Sequence, residues 1–197
     1  MSAAPGDEEL LAAYAAGDAR AFTQLYERHE KPVYRYFLRQ GVVASIADDL
    51  LQETWFAVIR NASRYEPRAK FTTWLYTIAR SKLVDHWRGR DPALSLDEAA
   101  NDPSADPNAE SSAAELQIDA GEAHRPDVQA MSRAQLRALV NAVEALPAAQ
   151  REAFLLQVEG GLSLEEIARV TDSGQETVKS RLRYAMTRLR SAMEPWQ

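Results

Sequence analysis

Apolar residues recur along this chain at three- and four-residue intervals, and no stretch alternates as a half-buried strand would. Phe22, Leu25, Tyr26 and His29 mark a first helix that starts after Gly17 with Asp18 as its N-cap. Pro32 predicts a break or kink before "VYRYFLRQG", which stops at Gly41. Ser45 and Asp48 are spaced like a capping box, with Asp in place of the usual Glu. The helix they open, "IADDLLQETWFAVIR", carries Ile46, Leu50, Phe56 and Ile59, or alternatively Leu51 and Trp55, on its apolar faces. A loop, "NASRYEPRAK", follows, and then "FTTWLYTIARSKLVDHWRGR" sets Phe71, Trp74, Leu75, Ile78, Ala79 and Leu83 on one stripe.

The pattern resumes near the C-terminus. Leu136, Leu139, Val140, Val143 and Leu146 form a stripe that ends near Pro147, and a second helix covers Ala149 to Val158 before Gly160 and Gly161. Ser163 with Glu166 is a capping box, and Ser173 with Glu176 has the same form. Two helix starts so close together leave a short helix, a tight turn near Thr171 and Asp172, and a longer helix to about Met193. That punctuation is a helix-turn-helix.

Between the two periodic blocks lies a segment without a period. Residues 91–130 hold ten acids and one base, Arg125, and no aromatic residue. Such a composition cannot bury enough surface to offset the entropy of ordering it, so it reads as a flexible linker. The expected fold is therefore all-α: two small helical domains, residues 1–90 and 131–197, joined by a flexible acidic linker at 91–130, the second domain with a helix-turn-helix. The formal net charge of −6 belongs to this linker, because the two flanking blocks are mildly basic.

The remaining composition narrows the function by exclusion. There is no cysteine, so disulfides and thiolate metal sites are excluded and an intracellular setting is expected. His29, His86 and His124 lie far apart without ligand-like spacing, and no metal or cofactor is expected. No apolar run reaches the ~20 residues of a membrane span, and the acidic N-terminus lacks the apolar core of a signal peptide. No nucleophile–base pair or phosphate loop is visible, so the chain does not read as an enzyme.

Two basic segments carry the chemistry. On a helical wheel of the last helix, Val178, Leu182, Ala185 and Leu189 share one inward face. Gln175, Glu176, Lys179, Ser180 and Arg183 point away from it, and Arg181 and Arg188 lie on the opposite flank. Alone, this could be the solvated face of an ordinary helix. Behind a turn of the right length, it reads as a recognition helix whose first exposed residues reach base edges and whose arginines meet phosphates. Residues 61–90 hold seven bases and two acids, interleaved with aromatic residues. Arg68, Lys70, Arg80, Lys82 and Arg88 can follow a phosphate backbone, while Tyr65 in the loop and Tyr76 and Trp87 off the apolar stripe can stack on unpaired bases. Phe71 and Trp74 read as core.

These segments together resemble a known family. "IADDLLQETWFAVIR" is similar to the core-polymerase-binding helix of bacterial sigma factors, and "RAKFTTWLYTIARSKLVDHWRGR" to the adjoining helix that melts and reads the minus-ten element. "LPAAQREAFLLQVEGGLSLEEIARVTDSGQETVKSRLRYAMTRLR" resembles the minus-thirty-five-binding domain. Their order and spacing resemble the extracytoplasmic-function (group IV) sigma factors, over roughly residues 10–90 and 131–192. The turn departs from the family pattern: Asp172, Ser173 and Gly174 stand where many relatives have a glycine, an aliphatic residue and a proline.

The resemblance implies partners and sites. Asp48, Asp49, Gln52 and Glu53 would dock on the β′ coiled coil of core RNA polymerase, and the second domain on the β flap. Residues 61–70 would hold a base flipped from the non-template strand. Tyr65, Arg68, Lys70, Tyr76, Arg80, Lys82, Trp87 and Arg88 would serve the minus-ten element; Gln175, Glu176, Lys179, Ser180, Arg181, Arg183 and Arg188 would serve the minus-thirty-five element. An anti-sigma factor is the expected regulator. The acidic linker would be either a plain tether or an occupant of a basic channel on the polymerase. The competing reading is a self-sufficient helix-turn-helix regulator with a sensory or dimerising N-terminal domain.

Overall fold

A computed structural model describes residues 4–66, 69–90 and 133–196. The expected linker at 91–130 lies outside the described residues, as does Arg68. The described residues contain helices and turns and no strand. A first bundle comprises α1 (Asp7–Ala15), α2 (Ala19–Arg39), α3 (Ala44–Asn61) and α4 (Phe71–Arg90). A second comprises α5 (Arg133–Glu144), α6 (Ala148–Val158), α7 (Leu164–Thr171) and α8 (Gln175–Met193). No helix among the described residues is long and apolar enough to cross a membrane.

In the first bundle, α2 begins as its sequence requires, with the Arg20 N–H donating to Asp18 Oδ1 at 2.9 Å. It then runs unbroken through Pro32, where a break or kink was expected. Proline in a helix interior costs about 3 kcal/mol. Val33, Tyr36 and Phe37, just beyond it, are fully buried on the same stripe as Leu25, and that burial holds the helix together. The chain leaves α2 through Gly41, whose φ of 91° is open to glycine.

The Ser45–Asp48 capping box does not form. α3 begins at Ala44 behind Val43, which offers no side-chain cap, so Ser45 already lies inside the helix. α1 was not expected. Its buried pair Leu10 and Leu11 stands among alanines and acids, too little for a readable period. Its Glu8 carboxylate nevertheless accepts the Phe71 N–H at 2.8 Å and so caps α4 from outside.

The core of this bundle is aromatic. Trp55 meets Phe22 edge-on and lies 5.0 Å from Tyr26, while Tyr36 and Tyr76 form a T-shaped pair at 5.4 Å. In the second bundle, Ser163 makes the expected capping box: its N–H donates to Glu166 Oε2 at 2.8 Å, and its Oγ accepts the Glu166 N–H at 3.3 Å. The turn follows at Asp172, with φ of 51°. The second expected box is absent. Gly174 is the N-cap of α8 without a side-chain cap, and the Ser173 hydroxyl instead pairs with Thr171 Oγ1 at 2.7 Å.

Candidate nucleic-acid and polymerase interface

α8 sorts as its wheel predicts. Val178, Leu182, Ala185 and Leu189 are buried. Gln175, Glu176, Lys179, Arg183 and Arg188 are exposed, and Ser180 and Arg181 are half-buried. Lys179 reaches Glu176 at 3.5 Å across one turn, an exposed pair that a phosphate or base edge can replace at little cost. Arg181 Nη1 donates to Ser173 Oγ at 3.5 Å and ties the helix to the turn before it. Arg183 lies 5.0 Å over the Tyr184 ring. Tyr184 and Met186 are exposed apolar neighbours on this helix that the sequence reasoning passed over. Their absence from the inward stripe was the available signal.

The basic segment 61–90 is less open than expected. Tyr65 folds back: its ring lies 5.0 Å from Trp74 and its hydroxyl donates to the Ala69 carbonyl at 2.6 Å. Burial raises its pKa above that of an ordinary phenol. Trp74 is half-buried, so it keeps one side toward solvent. Tyr76 corrects the sequence reading outright. It was expected off the stripe, yet it is fully buried between α2 and the second bundle. The wheel failed because it assumed one inward face, whereas α4 is covered on two. Trp87 is half-buried against His86, with ring centroids 5.6 Å apart, and Arg88 is exposed.

Three other basic residues of the segment have carboxylate partners. Lys82 Nζ lies 3.2 Å from Glu53, Arg80 Nε 2.9 Å from Glu152, and Lys70 Nζ 3.2 Å from Glu166. Burial raises the Glu166 pKa, but the Ser163 N–H and hydroxyl and the Lys70 ammonium outweigh it and bring the value to about 2.

On α3, Asp48, Asp49, Gln52 and Glu53 are all exposed on one side. Leu50, Leu51, Trp55 and Val58 turn inward. Phe56 and Ile59 do not, at 55% and 37% exposure. With Phe22, Tyr26, Leu51 and Trp55 they line an open groove of about 390 Å³, which Asp48 and Gln52 also line. An acidic edge beside an apolar groove suits a partner helix with basic and apolar faces.

Comparison with known proteins follows the same division. The family model for Sigma-70 region 2 matches residues 25–92, and that for Sigma-70, region 4 matches residues 136–189. The chain is 30% identical over 189 residues to the ECF RNA polymerase sigma factor BldN of Streptomyces coelicolor, covering 95% of this chain and 65% of that protein. It is 30% identical over 177 residues to the ECF RNA polymerase sigma factor RpoE of Cereibacter sphaeroides, covering 89% and 88%. Among solved structures, the sigma factor RpoE in complex with the anti-sigma factor NepR from Bartonella quintana matches with a TM-score of 0.66 at 22% identity, over 89% of this chain and 98% of that one. CnrH in complex with the cytosolic domain of CnrY matches with a TM-score of 0.64 at 22% identity, over 97% and 99%.

Proposed function

This chain belongs to the extracytoplasmic-function RNA polymerase sigma factors of the sigma-70 family, and we propose that it divides the work of promoter recognition between its two bundles. It is a sigma factor that binds core polymerase and directs promoter-specific initiation. In the proposed division, residues 1–90 bind the polymerase and the minus-ten element, and residues 131–197 bind the minus-thirty-five element. Asp48, Asp49, Gln52 and Glu53 meet the β′ coiled coil, with the groove at Phe56 and Ile59 taking the apolar side of the same contact. Tyr65, Trp87, Lys70, Arg80, Lys82 and Arg88 serve the melted strand. Tyr76 supports α4 from the core. Gln175, Glu176, Lys179 and Arg183 face base edges, while Arg181 and Arg188 meet phosphates.

The observation that carries this reading is α8. Its polar, basic N-terminal face is exposed behind the turn at Asp172, which ends the helix that the Ser163–Glu166 box opens. The chain acts by binding rather than by catalysis, in the cytoplasm where the polymerase is. An anti-sigma factor is its regulator, a proposal supported by the complex with NepR described for the sigma factor RpoE.

The test is transcription in vitro with core polymerase and a library of genomic fragments. Adding the chain should produce discrete start sites that share two spaced sequence elements. A transcript pattern identical with and without the chain would refute the reading.

A further inference from the structure

The two bundles touch through the buried Tyr76 ring and through charge, and among the described residues the ion pairs between them run in one direction. Bases come from the first bundle and acids from the second. Arg35 Nη2 lies 2.9 Å and Arg39 Nε 3.6 Å from the Glu159 carboxylate. Arg80 Nε lies 2.9 Å from Glu152 and Lys70 Nζ 3.2 Å from Glu166. The acids are the covered partners, with side chains 8%, 11% and 11% exposed for Glu159, Glu152 and Glu166. Lys70 and Arg35 keep 66% and 44% of their exposure.

The bases stand on neighbouring surfaces. Arg35 and Arg39 flank Tyr36 on α2, Arg80 lies one turn beyond Tyr76 on α4, and the two tyrosine rings are in contact. Gly160 lets the second bundle come close at this point: a Cβ there would lie 3.1 Å from the Tyr76 ring and 2.6 Å from the Leu156 carbonyl oxygen.

A row of carboxylates on a row of arginines and lysines reproduces what a phosphate backbone offers, charge-assisted bonds to anionic oxygens. We propose that Arg35, Arg39, Lys70 and Arg80 form one polyanion-binding face, and that Glu152, Glu159 and Glu166 occupy it in the free chain in place of DNA phosphates. The second bundle is thus a competitor of DNA for the first. Arg35 and Arg39 join the DNA-binding set. The inference rests on the reading of α4 and the loop before it as the DNA-facing side of the first bundle.

The contact is built to be exchanged. Beside the apolar packing of Tyr76 on the second bundle, its ion pairs are ones that an incoming polyanion can replace partner for partner. Tyr76 Oη is buried without a hydrogen-bond partner among the described residues, so the closed arrangement is not fully satisfied. Polymerase docking or DNA then has to supply the difference between two similar sets of ion pairs together with the apolar contact at Tyr76.

Two experiments on the full chain test this. In the first, a carbodiimide joins the Lys70 ammonium to the Glu166 carboxyl in the unmodified protein, and mass spectrometry reads the joined peptides. The cross-link should form in the free chain and fade as a mixed-sequence single-stranded oligonucleotide is added. A cross-link that is absent, or that persists when the oligonucleotide is saturating, overturns the proposal.

In the second, E152Q/E159Q/E166Q, with the single variant E159Q as a milder form, is compared with E27Q/E30Q/E194Q, which removes the same charge elsewhere. The chain has no cysteine, so cysteines placed at Gln24 and Ser191 carry a fluorophore pair that reports the distance between bundles. The interface variants should open and bind the oligonucleotide at least about tenfold more tightly, as expected when about a tenth of the free chain is competent. The control triple should stay closed and gain much less. An interface variant that opens without gaining affinity, or a control that gains as much, sinks the masking idea. Neither outcome bears on whether the chain supports transcription with core polymerase, which the library assay reads separately.

Discussion

Lys179 and Arg183 show how far one residue can be read. Both were placed on the outer face of α8 by the wheel alone, and both are exposed there. Lys179→Ala and Arg183→Ala should each weaken promoter binding, and a base-reading side chain should shift sequence preference at ~1–3 kcal/mol per contact. Footprinting or transcription on a randomised minus-thirty-five element checks this; unchanged preference in both variants would remove these residues from the base-reading set. Glu166 was legible only in part. The capping box was visible because it is local, whereas the Lys70 pair joins positions far apart in sequence. Its carboxyl is held at about 2 against an ordinary 4.5, so it stabilises the fold fully above about pH 4.5 and loses that contribution as pH falls toward 2. Glu166→Gln keeps a capping group but cannot titrate. The melting temperature of wild type should exceed that of the variant near neutral pH, and the gap should close between about pH 4.5 and 2. A gap independent of pH would mean that ionisation of Glu166 contributes nothing.

At the scale of elements, helix existence was legible and helix ends were not. The apolar period located α2 to α5, and capping signals located α7 and α8. Local signals failed where tertiary contacts overrode them. Pro32 does not break α2, since Val33, Tyr36 and Phe37 are buried beyond it. Ser173 is drawn to Thr171 and Arg181 rather than to the end of α8. α1 was missed because it buries only Leu10 and Leu11, too few for a readable period, and is otherwise held by polar bonds, Asp7 to Arg28 and Glu8 to the Phe71 amide. α3 gave two candidate apolar sets, and the structure divides them otherwise: Leu50, Leu51 and Trp55 are core, while Phe56 and Ile59 are exposed along the groove beside the acidic edge. Charge reversal at Asp49 or Glu53 should therefore reduce core-polymerase binding while the fold survives, since exposed substitutions usually change stability by less than about 0.5 kcal/mol. Glu53 has the Lys82 pair to lose as well, so Asp49→Lys is the cleaner variant. Pull-down of core polymerase at wild-type level by Asp49→Lys, with unchanged melting, would move the docking surface away from this edge of α3.

The whole molecule was the least legible scale. Two helical blocks and an acidic stretch between them can be read from composition, but nothing in the sequence says that the blocks close on each other. Arg35 and Glu159 are 124 positions apart. Such a pair has no local signature, because its partners are chosen by the shape of two finished bundles rather than by the chain near them. That makes the closed arrangement a separable property, and a double-mutant cycle can isolate it. Arg35→Glu places two carboxylates against each other and should open the molecule, as read from the distance between labelled bundles. Glu159→Arg should do the same by setting three guanidinium groups together, its own with those of Arg35 and Arg39. The combined exchange restores one opposite pair and should return much of the closed population, with a coupling of about 0.5–3 kcal/mol. Polymerase binding through α3 should be unaffected in all three variants, because Asp48, Asp49, Gln52 and Glu53 are not among the residues that pair with the second bundle. If the exchange leaves the molecule as open as either single variant, the Arg35–Glu159 pair is a consequence of closure and not one of its causes. The force between the bundles would then have to come from the Tyr76–Gly160 contact.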